Sequence, residues 1–229
     1  MTMSFIRALG IAIWLLLPIT LQGQENMTGF WQPQAAVDYD VTPTYGHNFS
    51  IANRSFFLRD ENFSFKSRQI DLAHFSKWTL KGNQSIALGI QYRFRDFFED
   101  ASNELRFTQQ YNFTYRPLTV RYGHRFRSEQ RITTNLTTYR FRYRFALDFP
   151  LKGQKLNIGE PYFAGSAEQL LSVAQGNSSQ YDFRLNGQIG WQLDKGLKFQ
   201  TGIEYRFEEF TASVVQHVVF LLTTVQLSI

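Results

Sequence analysis

The stretch YRFRYRFALDF, residues 139–149, sets Tyr139, Phe141, Tyr143, Phe145 and Leu147 on one parity and Arg140, Arg142, Arg144 and Asp148 on the other. Successive side chains of a β-strand point to opposite faces, so this period of two predicts a strand with one aromatic face and one charged face. The same signature recurs on either side. Ile86, Leu88, Ile90, Tyr92 and Phe94 alternate with Ser85, Ala87, Gly89, Gln91, Arg93 and Arg95. Leu105, Phe107, Tyr111, Phe113 and Tyr115 alternate with Glu104, Arg106 and a polar series ending at Thr114. Leu118, Val120, Tyr122 and Phe126 alternate with Arg121 and Arg125. Further along, Tyr181 to Trp191 alternates with Asp182, Arg184, Asn186 and Gln188, and Leu197 to Phe207 with Lys198, Gln200, Glu204 and Arg206. Weaker segments fall at about 30–41, 47–58, 68–80 and 160–171, and a final run at about 214–229 presents Val219, Leu221, Val225, Leu227 and Ile229 on one face.

These segments predict an all-β fold, and two architectures compete for it. A soluble barrel would turn the rings inward, but a small barrel has room for only a modest set of packed side chains. Several Phe and Tyr rings from each of six strands would overfill it. Reversing the faces removes the conflict: rings meet lipid, while Arg, Gln, Asn and Glu line the lumen. The expectation is a transmembrane antiparallel up-and-down β-barrel of 10–12 strands. Eleven candidate segments are visible, whereas single-chain bacterial barrels normally have an even number, so the segment at 30–41 would enter from the wrong side. Rings cluster toward segment ends, with Tyr92, Phe94, Phe126, Tyr139, Tyr205 and Phe207 at one end and Trp78, Tyr115, Phe149 and Trp191 at the other, as interfacial belts do.

The amino-terminal region has Arg7 before an apolar run from Leu9 to Ile19, then Gly23 as a small residue at a plausible cleavage point. The apolar run is short of the ~20 residues a membrane-spanning helix requires and fits a cleaved signal peptide over residues 1–23. The barrel domain would then occupy 24–229, in the outer membrane of a Gram-negative envelope. Tight turns at 81–83, 116–117 and 194–196 alternate with longer polar stretches at 97–102, 128–137, 172–179 and 208–213. Short periplasmic turns and longer external loops are the barrel convention, which places the tight turns in the periplasm.

Composition removes several chemistries. There is no Cys, so disulfides, thiolate metal sites, cysteine nucleophiles and lipidated cysteine anchors are all absent. Net charge is +5, but the Arg residues fall at alternating strand positions rather than in a surface patch, which argues for lumen placement and against nucleic acid. No glycine-rich phosphate loop and no cluster at metal-ligand spacing occurs, so no metal and no cofactor is expected.

The segments Ile86–Phe94 (IALGIQYRF), Phe141–Gln154 (FRYRFALDFPLKGQ), Pro161–Leu170 (PYFAGSAEQL) and Gly196–Phe207 (GLKFQTGIEYRF), with the opening Phe30-Trp31, resemble the domain of unknown function 2490 family. The resemblance implies an outer-membrane β-barrel of the kind found in Bacteroidota-type bacteria. It implies no catalytic residues.

The candidate functional feature is a set of inward basic residues: Arg93, Arg95, Arg106, Arg121, Arg125, Arg140, Arg142, Arg144, Arg184 and Arg206. Glu104, Asp148, Glu168, Asp182 and Glu204 are the acids that would answer them. Arg is suited to this because its planar fork binds carboxylate bidentately. Such a lumen either fills with ion pairs and is largely occluded, or keeps surplus positive potential and acts as a narrow anion-preferring channel. Two other readings stay open. A membrane-embedded lipid-modifying enzyme would use a histidine, but His47, His74, His124 and His217 share parity with apolar neighbours rather than with the lumen. A ligand- or partner-binding barrel would use its loops or basic interior. The expectation is a non-enzymatic barrel whose partners are outer-membrane lipid and the barrel-assembly machinery.

Overall fold

The computed structural model describes residues 27–59, 62–211 and 215–229, and the expected leader lies outside them. The chain is all-β, in eleven strands. In chain order these are β1 (Met27–Thr42), β2 (Tyr45–Arg59), β3 (Asn62–Thr79), β4 (Gln84–Phe94), β5 (Glu104–Tyr115), β6 (Arg121–Ile132), β7 (Thr137–Pro150), β8 (Pro161–Ala174), β9 (Gln180–Gln192), β10 (Leu197–Glu208) and β11 (Gln216–Ser228). Each pairs with its sequence neighbours, and β1 pairs with β11 to close the barrel. Closure leaves no free edge, so backbone donors and acceptors along the wall are met within the barrel.

The closing pair corrects the expectation of a wholly antiparallel barrel. Ten neighbouring pairs are antiparallel, but β1 and β11 run parallel, from Met27 opposite His217 to Asp38 opposite Ser228. In an up-and-down meander each strand reverses its predecessor, so an odd number of strands necessarily brings the first and last together in the same direction. The segment at 30–41 is thus a full strand, and its contrary direction is the seam. Side chains reinforce it on both faces. Trp31 Nε1 donates to Thr223 Oγ1 at 3.3 Å outside, Phe30 meets Phe220 at 5.2 Å between ring centroids inside, and Gln226 donates to Asp38.

The period-two faces hold. Leu88, Phe126, Phe141 and Ile203 are each more than half exposed on the outer wall, alongside Phe49, Ile51, Ile90, Tyr139 and Leu185. Glu104 and Glu129 retain only 2% exposure, both on inward parities.

Connections differ from the expected alternation of short and long. One end, here the turn end, carries residues 43–44, 80–83, 116–120, 151–160 and 193–196; the other, the loop end, carries 95–103, 133–136 and 175–179 and is where β2 gives way to β3 and β10 to β11. The longest of all, 151–160, is at the turn end, so connection length does not orient the barrel. The stretch at 128–137 is mostly strand, because β6 continues to Ile132 and β7 starts at Thr137. Phe126 is consequently mid-strand rather than in a belt. Leu118 and Val120 belong to the connection before β6, and Leu118 is 85% exposed. At 80–83 the expected tight turn is present, with Gly82 and Asn83 both at positive φ and Leu80 N donating to Gln84 O at 2.8 Å. Consecutive positive φ values are what a two-residue hairpin turn requires, and Gly and Asn tolerate them best.

Candidate functional site: an ionic layer between two basic cavities

Inward positions of β3 to β10 bring their charges together across the lumen. Arg93 grips Asp71 with two bonds, Nε to Oδ1 at 2.6 Å and Nη2 to Oδ2 at 2.7 Å. Arg131 grips Glu104 the same way at 3.0 and 2.7 Å, and Arg106 bonds the same carboxylate. Arg142 lies between two acids, 2.8 Å from Glu129 Oε1 and 2.6 Å from Glu168 Oε2. Arg125 takes the other Glu168 oxygen at 2.8 Å, and Arg206 takes Glu204 at 2.5 Å. Weaker contacts near 3.8–3.9 Å tie Arg184 and Arg140 to Asp182, while Arg140 donates to Ser172 at 2.8 Å. Bidentate and shared arrangements of this kind fix strand register and fill space at once.

The fifteen residues expected in the lumen do not all enter this layer. Arg121 and Asp148 pair with each other at 2.8 Å near the turn end, where Arg121 is half exposed. Arg95 lies just beyond β4 at the loop end, 3.6 Å from Glu104. Arg144 is inward but has no hydrogen bond or ion pair among the described residues, and its Nε is buried without a partner.

Several participants were missed. Arg127, Glu129 and Arg131 continue the inward parity of Arg125, a signal present in the sequence. It is hidden because the outward residues there are Ser128 and Gln130 rather than rings. These two satisfy one another through Gln109 on β5, with Ser128 Oγ donating to Gln109 Oε1 at 2.8 Å. Arg54 and Asp71 lie on strands whose alternation is weak. Arg68 is the extra residue of a β-bulge, since Arg54 faces Gln69 while Ser55 faces Ser67. The bulge directs its guanidinium over Phe30 and Phe56, at 5.2 and 5.5 Å from their centroids.

Those two rings begin an apolar cluster inside the lumen. Phe30, Phe56, Val218 and Phe220 pack together where β11, β1 and β2 meet, with Arg206 stacked 3.8 Å above Phe220 and Arg54 4.8 Å from it. The lumen is therefore plugged by salt bridges against one wall and by rings under guanidinium groups against the other.

Among the described residues the lumen keeps two basic cavities and a smaller side pocket. A basin of about 220 Å³ lies toward the loop end and a chamber of about 500 Å³ toward the turn end. Arg54, Arg93, Arg106, Arg142, Arg184 and Arg206 line both and form the wall between them. The chamber has ten cationic side chains and one carboxylate, Asp71.

All four histidines face outward. His47 Nδ1 is 3.0 Å from His74 Nε2 and 3.3 Å from Ser76 Oγ; His124 bonds the Tyr143 hydroxyl and His217 that of Tyr205. Among the described residues no carboxylate lies within ion-pair distance of a histidine.

Fold and interior together define a closed eleven-stranded β-barrel with an apolar exterior and a charge-filled, basic lumen. The chain belongs to the family described as Protein of unknown function (DUF2490), whose model matches residues 28–217, from the start of β1 into β11. No curated protein and no solved structure matches it.

Proposed function

We propose that this protein is an outer-membrane barrel whose lumen is an anion-preferring path held closed by its own ionic layer. The apolar exterior supports the location, because a wall of exposed Leu, Ile, Phe and Tyr is favourable against lipid and unfavourable against water. Closed barrels are also one of the two backbone solutions that hydrocarbon permits. Lipid is then the partner of the outer face, and an assembly factor inserts the folded wall. A leader over residues 1–23 would deliver the chain for export.

The observation that carries the closed state is the shared Arg wall between basin and chamber. Sign follows from the lining, since Arg54, Lys77 and Arg144 have no carboxylate within ion-pair distance among the described residues, and this surplus positive charge repels cations and attracts anions. Planar-bilayer recording on the purified full chain tests the proposal. Wild-type protein is expected to be nearly silent, and Arg142→Ala with Arg184→Ala to conduct with anion preference. A large, unselective wild-type conductance would overturn it, as would a double variant that stays silent.

A further inference from the structure

We infer that the turn-end chamber is a binding site for a phosphate monoester of a small hydroxyl-bearing molecule, a reading that rests on the basic, closed lumen proposed above. The chamber holds positive charge that no carboxylate among the described residues answers. Three of the cationic side chains lining the chamber, Arg54, Lys77 and Arg144, have no carboxylate within ion-pair distance among the described residues. Arg54 is held by Gln32 and the Phe220 ring, whereas Lys77 and Arg144 make no side-chain hydrogen bond or ion pair among the described residues.

Arg144 is the clearest case. Its register partner on β8 is Glu168, yet that carboxylate bonds Arg125 through Oε1 and Arg142 through Oε2 and lies beyond ion-pair distance of Arg144. Its other register partner is Arg125, a like charge. The Nε atoms of Arg125 and Arg144 are both buried and unbonded, and both guanidinium groups line the chamber. Two forks side by side, with spare donors, match the several oxygens of a phosphate better than a single carboxylate. Surplus charge from more than one unpaired cation also favours a dianion over a monoanion.

The rest of the lining indicates what the phosphate is attached to. Gln34, Ser50 and Gln91 line the chamber and make no side-chain hydrogen bond among the described residues. A side pocket of about 190 Å³ shares Arg125 and Arg144 and is also lined by Gln188, whose Oε1 is buried without a partner, and by Glu168 and Glu204, which are paired to arginines and suit the hydroxyl-bearing body rather than the phosphate. Uncommitted amide and hydroxyl groups around a cation pair suit a hydroxyl-rich body. A chamber of about 500 Å³ is in the range of small-molecule sites and is large for inorganic phosphate. Asn48, Lys77 and Asn112, each near the turn-end terminus of its strand, carry the lining toward that opening.

Calorimetric titration of the folded full-length barrel in detergent, at low salt, tests this with glucose 6-phosphate, inorganic phosphate and glucose. Saturable binding of glucose 6-phosphate, weaker binding of inorganic phosphate and none of glucose is the expected order. Arg144→Gln should weaken glucose 6-phosphate at least tenfold; Lys77→Gln, nearer the opening, should weaken it less and serves if the first variant does not fold. Absence of saturable wild-type binding overturns the inference, as does inorganic phosphate binding as tightly as the ester, or unchanged affinity in a folded Arg144→Gln or Lys77→Gln barrel. Failure here would leave the silent, closed barrel standing. An open wild-type pore would sink that earlier reading whatever the calorimetry gave.

Discussion

Arg142 reaches Glu168 diagonally: Nη2 donates to Oε2 at 2.6 Å, although the register sets Arg142 opposite Leu170 and Glu168 opposite Arg144. The diagonal has two effects. It lets one guanidinium bridge Glu168 on β8 and Glu129 on β6, tying three neighbouring strands together on the inner wall. It also consumes the carboxylate that Arg144 would otherwise use, and leaves that cation free in the chamber.

Removing the bridge should therefore be costly in a way a surface pair is not. Arg142→Ala leaves the buried Glu129 and Glu168 under-compensated, and loss of one partner from a buried pair typically costs about 3–5 kcal/mol. Denaturant unfolding of the detergent- or lipid-folded barrel, followed by Trp fluorescence, measures it. Arg121→Ala, at the half-exposed pair with Asp148, should cost about 1 kcal/mol or less. Equal losses for the two variants would mean that the layer is not the ionic core of the lumen.

The seam offers a direct chemical check on topology. Ala35 and Val225 are register partners on the parallel pair and both face outward, and the chain has no Cys to confuse the result. The double variant Ala35→Cys with Val225→Cys should form an intramolecular disulfide on mild oxidation, visible as a mobility shift that reductant reverses. Single variants should show none. A barrel of ten or twelve strands would separate or reverse these positions, and no such bond would form.

The outer wall should respond to charge by depth. Leu88 is near the middle of β4 and faces outward, so Leu88→Arg should destabilise the lipid-folded barrel by about 2–4 kcal/mol. Leu118→Arg, in the exposed connection before β6, should change little. Unfolding in lipid vesicles distinguishes them, and similar small effects at both sites would argue against a lipid-facing wall.

The ring cluster predicts a further large effect. Phe220 is 1% exposed and touches Phe30, with Arg206 over its face. Phe220→Ala should cost about 3–5 kcal/mol through the cavity it leaves. It should also weaken the β1–β11 seam, read as faster amide exchange along β1 than in wild type. Loss of stability without that local change would place the cluster's role elsewhere than closure.

Much of this was legible without coordinates because period two is a local property. Tyr139 to Phe149 assigns rings to one face and arginines to the other through backbone geometry alone, and crowding of a small barrel's interior then decides which face is outside. The absence of Cys, the direction of each face and the basic character of the lumen followed from the chain itself. What the chain could not decide depends on pairing between distant residues. The eleventh strand became interpretable only when β1 met β11, because parallel closure is a property of the whole ring and not of either strand. Arg68 turned inward through a bulge, which breaks the parity that sequence reading relies on. Arg144 and Arg142 occupy equivalent places in the same alternating run, and nothing local separates them. One is spent on two carboxylates and the other is left free, because the diagonal reach of long side chains across neighbouring strands, rather than the order of residues along one, determines which charges meet.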